Sequence, residues 1–331
     1  MLDIGVVGLG GIGNNHARCY TENQYTRVVA VCDRDKSRAD SAAVRWNAQP
    51  YYSVRQMLKS GINIDACSVT TAGVENGGDH YRPTMELLQA NIPVLGEKPI
   101  SNDVRKARRM VALSKKKRIS YGVNLNHRFT PSAIRAKEWL TEGRLGELNI
   151  VNMTMWINNP NESSPWFHIR ALHPHSLDVM RYFAGEVESV QAFFKKGKGR
   201  KIWSNVQVNL LFKNGVIGHL TGSYDAGGSY GLETLELVGS EGRVIINEAC
   251  EKLSFYPRFS QEVESFDHLG GMGGFAETFS SRIGAWVDDL RKNTPPSKVN
   301  AKAEDALKVQ LIIESIIKSW ETSKIVKVPQ K

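Results

Sequence analysis

Three glycines follow the first predicted strand at a spacing that suits phosphate binding. Gly8, Gly10 and Gly13 come directly after the apolar run 4–7 and open a predicted helix. The first glycine permits a tight turn, the second lets the backbone approach a pyrophosphate, and the third allows the helix to pack closely on the strand. The helix N-terminus then offers free N–H groups and a positive dipole end to the phosphates. The turn predicts a dinucleotide site.

An acid after the second predicted strand completes the context that this glycine motif requires. Asp33 follows the run 28–32, where a carboxylate can accept hydrogen bonds from both ribose hydroxyls. A carboxylate there repels a 2′-phosphate, which favours NAD over NADP. Arg34 leaves NADP open, because its guanidinium could stack on adenine or pair with that phosphate. An ordinary glycine-rich turn is the alternative interpretation.

Two further side chains have positions that suit proton transfer. Lys98 follows the predicted strand 93–95, and open α/β sheets bind ligands at the carboxyl ends of their strands. Burial beside a cationic nicotinamide would lower its pKa, and Pro99 would hold the loop, with a cis bond as one possibility. His175 lies in the first turn of a helix that starts at Pro174, where the dipole disfavours the imidazolium. Asp178 shares its helix face. A loop lysine and a packing histidine are the alternatives.

The pattern of elements that must position these residues divides the chain in two. Over 1–124, strands at 4–7, 28–32, 66–69, 93–95 and 119–121 alternate with helices such as 37–46, 83–90 and 103–117. Such alternation predicts an α/β domain with a doubly wound parallel sheet of Rossmann type. Over 125–331, a helix at 132–140 and half-apolar strands with turns at 213–215 and 239–242 predict an α+β domain with a mostly antiparallel open sheet. Helices at 275–290 and 303–320 close it.

The composition excludes several classes of protein. No apolar run suits a membrane helix and no targeting signal starts the chain, so we expect a cytoplasmic protein without a membrane partner. The four cysteines form no CxxC pair and are expected to be packed, reduced thiols. The formal net charge of +9 falls mainly on 105–118 and 195–201. Without a nucleic-acid motif this charge indicates solvated surfaces, and attraction of an anionic substrate is the alternative.

Four motifs in one order resemble the glucose-fructose oxidoreductase, inositol dehydrogenase and MocA (Gfo/Idh/MocA) family. They are the glycine turn, Gly96-Glu97-Lys98-Pro99, Asn126-His127-Arg128-Phe129-Thr130-Pro131 and His175-Ser176-Leu177-Asp178. The resemblance implies a Rossmann domain followed by an α+β domain, with substrate held in the cleft against the nicotinamide. It implies NAD(P)-dependent oxidation or reduction of a secondary hydroxyl on a sugar, sugar derivative or cyclitol, with Lys98 contacting that hydroxyl and His175 and Asp178 assisting.

The family pattern and the residue types together assign binding roles. Cofactor contacts are expected from Gly8, Gly10, Gly11, Ile12, Gly13, Asp33, Arg34, Thr70, Thr71, His80, Glu97, Lys98, Asn126 and Arg128. Substrate contacts are expected from Lys98, His127, Trp156, Trp166, His168, Arg170, His173 and His175, since aromatic faces stack on sugars and arginine binds hydroxyls or carboxylates. Core packing is the alternative for Trp156. A homodimer or homotetramer is expected, because an exposed antiparallel face commonly needs a partner.

The chain departs from the family pattern in two places. Ala171 occupies the position where relatives commonly have an acid, four residues before the histidine, so proton relay rests on Lys98 and His175 or draws in His173, His168 or Arg170. The loop 71–80 is longer than usual, and Glu75 or Asn76 could reach the cleft. Non-redox glycoside cleavage through a transient keto sugar, a nicotinamide-sensing protein, and zinc at the histidine cluster are the alternative functions. Our prediction is an enzyme without a metal.

Overall fold

The chain forms two compact units, each described here by itself. The structure is a computed structural model that describes residues 1–73, 75, 78–226, 233–247, 251–267 and 275–330. Unit 1 comprises Met1–Leu125 and Phe279–Gln310, and unit 2 comprises Asn126–Thr278 and Leu311–Lys331. This differs from the predicted division into 1–124 and 125–331, because the chain returns to the first core. Ile283, Trp286 and Val299 are buried in one hydrophobic cluster with Ile4 and Val6.

Unit 1 is built on a parallel sheet covered by helices. Its elements are β1 (Leu2–Val7), α1 (Gly11–Glu22), β2 (Thr26–Cys32), α2 (Lys36–Trp46), β3 (Gln49–Tyr51), α3 (Val54–Lys59), β4 (Ala66–Val69), α4 (Tyr81–Gln89), β5 (Val94–Gly96), α5 (Val104–Lys117) and β6 (Tyr121–Val123). The six strands are parallel, in the order β3-β2-β1-β4-β5-β6. The predicted doubly wound fold is confirmed, and the strand order reverses between β1 and β4, where such sheets bind ligands.

Local capping explains where several of these elements begin and end. Asp35 accepts a hydrogen bond from the N–H of Arg38 at the start of α2, and Asp103 does the same for Arg105 at the start of α5. Arg118 ends α5 in a left-handed conformation with φ of 55°, and the N–H of Ile119 then donates to a carbonyl of α5. The last parallel strand therefore starts at Tyr121, two residues later than predicted.

Unit 2 is built on a mixed sheet. It begins with a 3₁₀ turn (Asn126–Phe129) and continues through α6 (Pro131–Thr141), β7 (Leu148–Trp156), α7 (Phe167–Ala171), α8 (Pro174–Ala184), β8 (Val187–Lys195), β9 (Asn205–Phe212), β10 (Ile217–Ser223), β11 (Glu233–Gly239), β12 (Gly242–Asn247), β13 (Lys252–Pro257) and β14 (Glu264–Phe266). The chain ends with α9 (Phe275–Arg291), which belongs mainly to unit 1, α10 (Ala303–Thr322), whose first part belongs to unit 1 and whose second part belongs to unit 2, and β15 (Val326–Lys327).

The strands of unit 2 lie in the order β14-β13-β12-β11-β7-β10-β9-β8-β15. Neighbours are antiparallel except for β7 and β10, which run parallel. The predicted α+β domain with a mostly antiparallel sheet is confirmed. Residues alternate between two faces along β7. Met155 faces α8, as the hydrogen bond from the hydroxyl of Ser176 in α8 to its sulfur shows.

Several expectations from composition can be compared with the described residues. Cys19, Cys32 and Cys67 are free and buried, as predicted, and burial raises the pKa of each thiol. Cys250 lies outside the described residues. Within the described ranges, no helix has the length and apolar character needed to cross a membrane. In the same ranges, no cluster of three or more His, Cys, Asp or Glu side chains has a metal-binding arrangement.

Candidate functional site

The glycine turn between β1 and α1 has the shape that a pyrophosphate requires. Gly8 has φ of +93°, and a Cβ there would lie 2.5 Å from the Thr71 nitrogen. A Cβ on Gly13 would lie 1.8 Å from the carbonyl oxygen of Gly8. At Gly10 and Gly11, by contrast, a Cβ would meet nothing within 4 Å, and no side chain caps the first turn of α1. The backbone N–H groups of this open turn fit a bound phosphate group.

Asp33 joins the end of β2 to the glycine turn. Its two carboxylate oxygens accept hydrogen bonds from the N–H of Leu9, at 2.8 Å, and of Asp35, at 2.9 Å. The side chain is thereby held beside the turn, where a ribose would follow the pyrophosphate. Arg34 is exposed, and Arg38, which was not predicted, lies 3.9 Å from Asp33. Arg38 lies in the first turn of α2, three residues after the cap at Asp35. That position, close to Asp33 in the sequence, was the signal that could have revealed it.

Lys98 lies directly after β5 and is half-buried. Burial lowers the pKa of its amine, and the negative charge of Glu97 opposes that effect. The peptide bond to Pro99 is cis, one of the forms that the sequence left open. A lowered pKa raises the fraction of neutral amine near neutral pH, and a neutral amine can accept a proton.

The carboxylate of Glu97 faces a buried polar network of unit 1. The Nε2 atom of His16 lies 3.0 Å from Oε1, Asn124 donates to Oε1 at 2.6 Å, and the N–H of Lys98 donates to Oε2 at 3.2 Å. Burial raises the pKa of Glu97, but the hydrogen bonds and the charges of His16 and Lys98 outweigh it, so the net pKa is lowered. Glu97 was predicted to contact the cofactor, and in the structure it orients the backbone at Lys98.

The predicted cofactor residues after β4 hold the backbone around the turn and around Lys98. The hydroxyl of Thr70 donates to the carbonyl of Gly8 at 2.7 Å. The ring nitrogens of His80 lie 2.8 Å from the Pro99 carbonyl oxygen and 2.7 Å from that of Thr71. Glu75 is buried and accepts a hydrogen bond from Asn102, while Asn76 lies outside the described residues. These contacts are structural, and cofactor contact by Thr71 and His80 stays a prediction.

The second candidate proton-transfer residue, His175, stacks on another histidine of unit 2. His175 is buried in the first turn of α8, as predicted, and its ring lies 4.4 Å from that of His127 at an interplanar angle of 9°. The Nδ1 atom of His127 lies 3.0 Å from a carboxylate oxygen of Glu233, at the start of β11. Glu233 was not predicted, because no motif surrounds it in the sequence.

Two predicted cofactor residues, Asn126 and Arg128, and the predicted catalytic residue Asp178 have partners inside unit 2. Asp178 accepts hydrogen bonds from Nε of Arg128, at 2.7 Å, and from Nη2 of the same guanidinium. Asn126 is buried and donates to the hydroxyl of Thr278 at 2.5 Å. Asp178 therefore forms a buried ion pair with Arg128. Its role in orienting His175 stays a prediction.

His168 and His173 form a buried pair, which does not support their predicted substrate contact. Their Nε2 atoms lie 3.0 Å apart, and both residues are fully buried. Burial lowers the pKa of His168 to about 3 and that of His173 well below its usual value. A Cβ on Gly222 of β10 would lie 2.2 Å from Nε2 of His173. The pair is therefore a neutral part of the core between β10 and the α7–α8 region.

The other predicted wall residues of the substrate pocket also have partners in unit 2. Trp166 packs on Phe194 and Trp203, with ring centroids 5.2 and 6.0 Å apart. The Nε and Nη2 atoms of Arg170 donate to the carboxylate of Glu314 at 3.1 and 3.0 Å. Trp156 follows Met155 in β7, so strand alternation points it to the face opposite α8. Packing on Phe194 and Trp203 describes Trp166 better than ligand contact does, and substrate contact by Trp156 stays a prediction.

Sequence models of two domain families match the chain. Residues 2–125 match the model described as an oxidoreductase family with an NAD-binding Rossmann fold, and residues 133–245 match the Gfo/Idh/MocA C-terminal domain. The chain belongs to the Gfo/Idh/MocA oxidoreductase family. This Gfo/Idh/MocA protein is therefore an NAD-binding oxidoreductase, which the open glycine turn and Asp33 independently fit.

Known relatives cover nearly the whole of this Gfo/Idh/MocA chain. It is 27% identical to an inositol 2-dehydrogenase of Rubrobacter xylanophilus over 90% of this chain and 85% of that protein. It is 24% identical to a myo-inositol 2-dehydrogenase of Thermotoga maritima over 99% of this chain and 98% of that protein. Among solved structures, an NAD binding oxidoreductase from Klebsiella pneumoniae shares the fold with a TM-score of 0.89, at 20% identity over 100% and 99% of the chains.

Proposed function

We propose that this protein oxidises or reduces a secondary hydroxyl of a sugar, sugar derivative or cyclitol. The observation that carries the proposal is Lys98, a half-buried amine with a lowered pKa at the carboxyl end of β5. The same sheet carries the open glycine turn after β1, so a base and a dinucleotide site lie in one unit. The two inositol 2-dehydrogenases that match nearly full length support this class of substrate.

In the oxidative direction, Lys98 accepts the proton of the substrate hydroxyl, and His175 assists. NAD, when bound, would accept the hydride from the carbon that bears this hydroxyl. Glu97, held by His16 and Asn124, fixes the backbone at Lys98. Asp33 binds the ribose hydroxyls and disfavours a 2′-phosphate, so NAD is the preferred cofactor. A homo-oligomer stays a prediction.

A substrate panel tests this proposal. Purified protein is incubated with NAD or NADP and with aldoses, glycosides and inositols, and reduced cofactor is followed by absorbance. We expect reduction of NAD with at least one member of the panel. Absence of reduction across the panel would contradict the proposal. Turnover that requires NAD but accumulates no NADH would indicate the glycoside-cleaving alternative.

A further inference from the structure

A buried carboxylate lies behind the histidine stack of unit 2. Glu233 and His127 are both almost fully buried, with side-chain exposures of 5% and 3%, and are 3.0 Å apart. His127 in turn stacks on His175 almost in parallel. The three side chains come from β11, the 3₁₀ turn and α8, so the fold has brought together groups that are far apart in the chain.

The surrounding charges distinguish Glu233 from the other acid nearby. Asp178, one turn beyond His175 on α8, forms an ion pair with Arg128, so a guanidinium balances its charge. Ala171, at the end of α7, has a methyl group that cannot accept a hydrogen bond. Glu233 faces an imidazole, and a buried carboxylate is stabilised there when the ring nitrogen nearest to it carries the proton.

We propose that Glu233 is a positioning residue for His175 and acts through His127. Its carboxylate contacts Nδ1 of His127 and holds that ring in place, and the stacked His127 ring fixes the plane of His175. With its plane fixed, the His175 ring keeps the orientation that proton transfer requires. This inference rests on the proposed function, in which His175 assists Lys98.

The direct test is nitrogen NMR of the histidine rings in NADH-bound protein. The protein is labelled with ¹⁵N-histidine, and the signals are assigned with His127→Phe and His175→Asn. We expect Glu233→Gln to shift the ring nitrogens of both His127 and His175. The matched control is Glu186→Gln, which removes a carboxylate that pairs with Arg181 at the far end of α8. The control should leave both sets of signals in place.

A double-mutant cycle tests whether Glu233 acts through His127. Glu233→Gln and His127→Phe should each lower kcat on the order of 10-fold to 100-fold, as for other side chains that orient a histidine, with little change in KM. Because both changes break one link, the double variant should be no slower than the slower single variant. The Phe variant removes the ring nitrogen that Glu233 contacts, so it serves if Glu233→Gln does not fold.

Two results would overturn this inference. One is a His175 spectrum that does not change in Glu233→Gln, or in His127→Phe if Glu233→Gln does not fold. The other is a cycle in which the losses multiply, which would mean that Glu233 acts independently of His127. Failure of the proposed function is a separate result, since it appears as full activity of a Lys98→Met variant, while the histidine spectrum still reports on Glu233.

Discussion

The Nε2 atom of His16 lies 3.0 Å from Oε1 of Glu97, within the buried core of unit 1. His16 belongs to α1, the helix that the glycine turn opens, and Glu97 directly precedes Lys98. His16 also contacts the hydroxyl of Ser68 in β4 at 3.0 Å. One polar network therefore joins α1, the helix that follows the glycine turn, to Glu97, whose charge raises the pKa of the neighbouring Lys98 amine.

Glu97→Gln should shift the pH dependence of oxidation. Activity requires neutral Lys98, so kcat/KM rises with pH through the pKa of that amine. The charge of Glu97 raises this pKa against the effect of burial. Its removal lowers the pKa further, and the acidic limb of the pH profile moves to lower pH. The measurement is kcat/KM against pH, with Glu86→Gln, an acid of α4 paired with Arg82, as the control. A limb that moves to higher pH contradicts this assignment.

Asp33→Ser should reduce the preference for NAD over NADP. The carboxylate disfavours a 2′-phosphate, whereas Arg34, two residues after β2, and Arg38, at the start of α2, supply positive charge near it in the chain. The ratio of kcat/KM for NAD to that for NADP should fall by about 10-fold or more, the value of roughly 1.4 kcal/mol of lost discrimination. Asp40→Asn, an exposed acid of α2, is the control. An unchanged ratio in Asp33→Ser would show that the acid does not select the cofactor.

The glycine turn, Asp33 and Lys98 could be predicted because their signals are local. Each lies within one strand–turn–helix unit, where spacing along the chain fixes position in the sheet. The first-turn position of His175 follows from Pro174 and Gly185 in the same way. By contrast, Trp156, Trp166, His168 and His173 were assigned mainly by residue type, and type does not distinguish a pocket wall from a packed core.

The contacts that the sequence did not reveal join segments far apart in the chain. Glu233 meets His127 across more than a hundred residues, and no periodicity marks either residue as a partner of the other. The return of α9 to the first core is similar. Arg282 donates to the carbonyl of Val123, and Trp286 packs against Gly122, yet an amphipathic helix does not encode which core it covers.

Gly222→Ala should destabilise unit 2. The added Cβ would lie 2.2 Å from Nε2 of His173, in a core where the histidine pair cannot move without losing its hydrogen bond. Overpacking of this kind costs about 1–3 kcal/mol. Gly284→Ala is the matched control, since its Cβ meets nothing within 4 Å and alanine favours the helix by about 1 kcal/mol. Urea unfolding measures both, and an unaffected Gly222→Ala variant would contradict the packing described for His173.

The most direct test of the central claim is the activity of Lys98→Met. Methionine keeps a long unbranched side chain without an amine, so the fold and the glycine turn should be retained. We expect kcat for NAD reduction to fall by about 10² to 10⁴, the typical contribution of a positioned base, while NADH still binds at the glycine turn and Asp33. Wild-type turnover by a folded Lys98→Met variant, with a substrate from the panel, would contradict the account of this protein as a dehydrogenase that uses Lys98 as its base.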